Sequence, residues 1–142
     1  MSSPTLDEVL AGIARALESI DTLRAHATEP EDPNFPTAYP RLVDWTLDTT
    51  FGFDCDTAPT LYHFDIWVLV DKAPGLGRAQ AQLIPYLSPV GRRSVKQALE
   101  RDASLGGIVD YIRVTSGGVY GTASIANVEC LAASMRAECY TQ

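Results

Sequence analysis

His26 and His63 are the only histidines of the chain, and His63 stands two residues from Asp65 in a run of strand-forming residues. Alternate side chains of a strand share a face, so imidazole and carboxylate could exchange a proton there. A hydrolase triad also needs a nucleophile within hydrogen-bond reach, and no G-x-S-x-G elbow presents one. The residues favour a surface or interface histidine beside a carboxylate, and no catalytic residue is expected.

Asp54, Cys55 and Asp56 could chelate a cation through oxygen and sulfur, but a calcium loop supplies alternating oxygens that end in a glutamate, which this segment lacks. The three cysteines include no C-x-x-C pair, and Cys130 and Cys139 sit nine positions apart on one expected strand, so they face opposite ways. No metal site is expected. An odd cysteine count closes no complete disulfide framework and fits a reducing compartment. Gly75-Leu76-Gly77 lies between a strand and a helix, where a dinucleotide loop offers its N–H groups to a pyrophosphate. Gln80 occupies the third glycine's place and no second βαβ unit follows, so an ordinary turn is expected and no cofactor.

Arg92, Arg93 and Lys96, with Arg101 further along, form a local basic group in an acidic protein. They read as solvated helix surface or as an ion-pairing patch for an acidic partner, another copy of this chain included. Trp45 and Trp67 are large aromatics that anchor either a core or an interface. The candidate interface residues are therefore Trp67, Asp54, Asp56, Arg92, Arg93, Lys96 and Arg101.

The elements that must position these residues follow from patterning. Thr5 and Glu8 form a T-x-x-E capping box, and Leu6, Val9, Leu10, Ile13, Leu17 and Ile20 recur at helical spacing, which predicts an amphipathic helix over about 5–24. Pro30, Pro33, Pro36 and Pro40 make 29–40 an extended arm. Strands are predicted over 41–50 and 60–71. In the second, Tyr62, Phe64, Ile66, Val68 and Val70 line a core face. The other face turns from polar to apolar along its length, so its far end needs a cover, for which a neighbouring subunit would serve. Helices are predicted over 78–87, irregular at Pro85, and over 94–102. Three strands follow, over 108–115, 119–128 and 131–140, with Ser116-Gly117-Gly118 as a tight turn. The order α-β-β-α-α-β-β-β predicts an α+β fold: a mixed, mostly antiparallel sheet with helices on one face.

With 142 residues, 46% hydrophobic and 20% charged, the chain is expected to form a single domain over 1–142. A formal charge of −7 argues against sequence-specific nucleic-acid binding, which calls for a basic patch. The first residues lack the charged and apolar regions of a signal peptide, and no apolar run approaches the ~20 residues of a membrane span, so neither secretion by that route nor a membrane partner is expected.

The run from Val68 to Val114 resembles tail terminator proteins of long-tailed phages of actinobacteria. The resemblance spans nearly the whole chain, and its most specific parts are Tyr86-Leu87-Ser88-Pro89 with Gly91, Ser94-Val95, Ala98-Leu99, Asp102, Leu105-Gly106-Gly107 and Arg113-Val114. Each has a structural use, such as a helix stop or a glycine turn, and none is catalytic. The resemblance implies a non-enzymatic virion subunit, similar in role to the tail terminator of phage lambda. Such a subunit forms a homo-oligomeric ring, usually a hexamer, on the head-proximal end of the tail tube, stops tube growth and docks to the head connector. The implied partners are other copies of the chain, the major tail tube protein and a head completion or connector protein, with genomic DNA passing through the lumen unread. The implied location is the head–tail junction of the virion, and the host cytoplasm during assembly. Other neck proteins, which close the head or complete the tail, are an alternative; so is a small-molecule-binding module or enzyme built on His63 and Asp65.

Overall fold

A computed structural model describes residues 4–31, 34–47 and 59–141. It contains the helices α1 (Leu6–Glu18), α2 (Leu76–Leu87) and α3 (Val95–Arg101), and the strands β1 (Arg24–Ala25), β2 (Thr37–Leu47), β3 (Thr60–Asp71), β4 (Tyr111–Ile125) and β5 (Val128–Thr141). The strands form one sheet in the order β1-β2-β3-β5-β4, antiparallel except for the short β1–β2 pair. This is the expected α+β class.

Helix α1 starts where the capping box places it: the Thr5 hydroxyl accepts the Glu8 N–H at 3.3 Å, and Asp7 and Glu8 occupy the positively polarised first turn. It ends at Glu18 rather than near residue 24. Ser19 donates its hydroxyl to the Ala16 carbonyl, and tight three-residue turns carry the chain onward, with Ile20 N–H to Leu17 O and Leu23 N–H to Ile20 O both at 3.1 Å. Ile20 and Leu23 stay buried through those turns, so the apolar period outlasts the helix.

The chain then contributes Arg24 and Ala25 to the sheet beside Thr37 and Ala38. Strand β2 thus begins inside the proline-rich arm, and Pro40 is accommodated because β2 has no neighbour beyond β3 at that position among the described residues. Strand β3 has the predicted bounds. Its residues Phe64, Ile66 and Val68 lie opposite Ala137, Met135 and Ala133 of β5, and all join the main core with Val9, Ile13 and Leu17 of α1, Leu83 and Tyr86 of α2, and Val95 and Leu99 of α3.

Two strands replace the three predicted at the C-terminal end. Ser116, Gly117 and Gly118 are not a turn; β4 runs through them with irregularities between Val114 and Ser116 and between Gly117 and Tyr120. A side chain at Gly118 would place its Cβ 2.6 Å from Ser134 Oγ, so glycine serves close strand packing there. The reversal occurs at Ala126-Asn127, whose φ angles of 49° and 64° match a two-residue hairpin between paired Ile125 and Val128.

Gly12 marks the closest approach of α1 to the loop before β4. A Cβ at this position would meet Ile108 Cδ1 at 3.2 Å and Leu105 Cβ at 3.3 Å. Gly12→Leu is accordingly expected to over-pack this contact and destabilise the protein by about 1–3 kcal/mol, read as a lower urea midpoint at unchanged slope.

Candidate functional site

The sheet face away from the helices divides into an apolar end and a charged end. At the apolar end Tyr39, Leu69, Ile125, Cys130 and Ala132 form a second small core, with Phe35, Trp67 and Ala123 packed on it. The cover expected for this end is thus supplied in part by the chain itself, through Phe35 before β2. Tyr39 donates its hydroxyl to Glu29 at 3.3 Å, and burial, then the Glu29 charge, pushes its pKa up to about 12. Trp67 is half-buried here, and its indole Nε1 is enclosed without a hydrogen-bond partner.

At the charged end the side chains form rows across four strands. Asp44 of β2, His63 of β3, Glu138 of β5 and Arg113 of β4 lie in one register. His63 Nδ1 is 2.6 Å from Asp44 Oδ1 and its Nε2 is 3.9 Å from Glu138 Oε2, while Arg113 donates to Glu138 at 2.6 Å. In the next row Arg136 donates to Asp65 at 2.9 Å, with Arg41 across from Asp65 on β2. His63 and Asp65 do share a face, but each is engaged by a cross-strand partner and not by the other. The opposite charges paired across strands, Arg113 with Glu138 and Arg136 with Asp65, support the register of the sheet.

The sequence candidates on the other side of the molecule are brought together in part. Arg92, Arg93 and Arg101 line a polar cleft with Ser19, Asp21 and Thr22 from the end of α1. Lys96 points elsewhere and donates to both oxygens of Glu100, one turn on, at 2.7 and 2.5 Å. Glu100 also accepts the Val114 N–H at 2.9 Å, while the Ile112 N–H reaches the Ala103 carbonyl at 2.8 Å. Helix α3 and its following loop therefore cap the outer N–H groups of the first part of β4, a known guard of sheet edges. Asp54 and Asp56 lie outside the described residues.

Burial works against ionisation of Glu100, but hydrogen bonds from Lys96 and Val114 and the charges of Lys96 and Arg113 outweigh it and hold the carboxyl below its usual range. A depressed carboxylate pKa gives stability that is present above the unfolded value and lost as pH falls through the folded one. Glu100→Gln should therefore lower the urea midpoint at neutral pH, and its deficit should vanish in acid below that depressed value.

Three further features carry no clear sequence signal. Beside β4 lies an apolar cleft of about 300 Å³ lined by residues that include Leu87, Lys96, Val114, Gly117, Tyr120 and Met135. Tyr120 in its wall is half exposed, and Leu76, Ile84, Val90 and Val128 are further exposed apolar side chains. At the opposite edge of the sheet the end of β2 projects with Val43, Trp45 and Leu47 exposed, Trp45 at 55%. The exposure of Trp45 was legible only as an alternative to a core role. Gly75 is the N-cap of α2, with φ 116°, and serves the turn from β3 into that helix. Cys130 and Cys139 are both buried, one on each side of the sheet, and burial followed by the Asp110 charge raises the Cys139 thiol to about 12. No helix among the described residues is long and apolar enough to cross a membrane. No known family model matches the sequence, and no curated protein matches it either.

Proposed function

We propose that this chain is a structural subunit of the phage head-to-tail junction, a tail terminator that works by self-association and docking and not by catalysis. In this reading a homo-oligomeric ring, a hexamer by the resemblance, sits on the head-proximal end of the tail tube, ends tube polymerisation and docks to the connector. Genomic DNA passes through the lumen unread, and a net charge of −7 is of the sign that repels phosphate.

The observation that carries the reading is that exposed apolar side chains stand on the strands at both sides of one sheet, Trp45 and Leu47 on β2 and Tyr120 on β4. A surface that is not self-complementary associates head to tail, and head-to-tail contacts close into rings when the rotation fits. The resemblance of residues 68–114 supplies the setting. Electron micrographs of the protein mixed with tail tubes test it: a ring seated at one tube end is expected. Rings that bind only portal would move the role to head closure, and a monomer that binds neither would overturn the reading.

A further inference from the structure

We propose that the subunit contact is formed by the projecting end of β2 of one copy, with Trp45 as its anchor, seated in the apolar cleft beside β4 of the next copy. This rests on the ring reading above and names the two surfaces that such a ring would join.

Trp45 is opposite Tyr62 in the sheet, on the face that carries the helices, yet it lies beyond their cover and is 55% exposed. Large exposed aromatics at a sheet corner are the usual anchors of a protein contact, and they seat in apolar clefts from which water is excluded. The cleft lies on that same helix-bearing side of the sheet, since the end of α2 forms one wall, and its volume of about 300 Å³ is room for a large aromatic side chain. Strands β3 and β5 stand between β2 and β4, so three spacings of roughly 4.8 Å separate a copy's own anchor from its own cleft. The occupant must come from another molecule.

Charge makes that molecule a second copy. Lys96, paired with Glu100, forms part of the cleft wall, and Arg113 ends its charged row at the β4 edge with 63% of its side chain exposed. At the other edge the same row ends in Asp44, also 63% exposed. Neighbouring residues Asp44 and Trp45 thus present a negative charge on one face and an aromatic on the other, against Arg113 and the cleft. The row Asp44–His63–Glu138–Arg113 then continues from copy to copy, with Arg113 of one meeting Asp44 of the next. Strand directions agree as well: β2 and β4 run oppositely in the sheet, so copies placed side by side in one orientation bring antiparallel edges together. Because Glu100 and Ala103 already cap Val114 and Ile112, the contact there is one of side chains and not an added pair of backbone bonds.

The test uses two variants of the whole chain, Trp45→Asp to disable the anchor and Tyr120→Glu to obstruct the cleft. Both side chains are about half exposed, so each variant should keep the wild-type circular dichroism spectrum and unfolding midpoint; should Trp45→Asp fail that check, Asp44→Lys replaces it. Sedimentation is expected to show a ring for the wild-type chain, at least tenfold weaker association for each variant alone, and a one-to-one dimer when the two are mixed, because one intact anchor then meets one intact cleft. Variants that assemble as tightly as the wild type would overturn this contact while leaving the ring in place. A wild-type chain that stays monomeric would overturn the contact together with the ring.

Discussion

Phe64→Ala is expected to destabilise the protein by about 3–5 kcal/mol, the range for removing a fully enclosed aromatic ring. Phe64 has 0% exposure within β3, faces Ala137 of β5 and lies with its ring tilted against that of Tyr62, centroids 5.9 Å apart. Its partner is the smallest side chain in the row, so nothing opposite can expand into the space left behind. For a domain whose total stability is typically about 5–15 kcal/mol, that loss is a large share. Equilibrium urea unfolding checks it: a drop below about 1.5 kcal/mol would mean that the sheet face is less tightly covered by the helices than the packing here describes.

The second large effect is at Tyr86. Its ring is fully buried in the last turn of α2, and its hydroxyl shares a hydrogen bond of 2.8 Å with Thr22 Oγ1, tying α2 to the segment that follows α1. Tyr86→Ala removes ring and tie together and is expected to cost about 3–5 kcal/mol, whereas Tyr86→Phe keeps the ring and should cost about 1 kcal/mol. Thr22→Ala should match the phenylalanine variant, and the double variant Tyr86→Phe with Thr22→Ala should fall short of the sum of the singles. Strict additivity would show that the two hydroxyls do not interact.

The parts of this fold that were legible in the sequence are those fixed by local period. Strand β3 alternates cleanly, and α1 has both a capping box and a repeating apolar stripe, so each is found near its true start. What was not legible depends on contacts distant in sequence. Arg24 and Ala25 form a strand only because Thr37 and Ala38 lie alongside. Gly117-Gly118 has the composition of a turn, but Ser134 packs over it and the strand continues, while the real reversal uses Ala126-Asn127, which has no glycine to announce it. The site shows the same limit. Period alone put His63 and Asp65 on one face, but the partner of His63 is Asp44, whose register is set by an irregularity between Leu42 and Asp44. Arg92, Arg93 and Arg101 were found by composition; the apolar cleft was not, because α2, β4 and β5 each supply only part of its wall.

Under the proposed function, this chain stops tube growth by capping the tube. The most direct measurement is the length of tail tubes polymerised from purified tube protein with and without the chain. The account predicts that tubes stop lengthening when the chain is present and that each carries one cap at a single end, while Trp45→Asp lets them grow as if nothing had been added. Tubes that lengthen identically with the wild-type chain would contradict it.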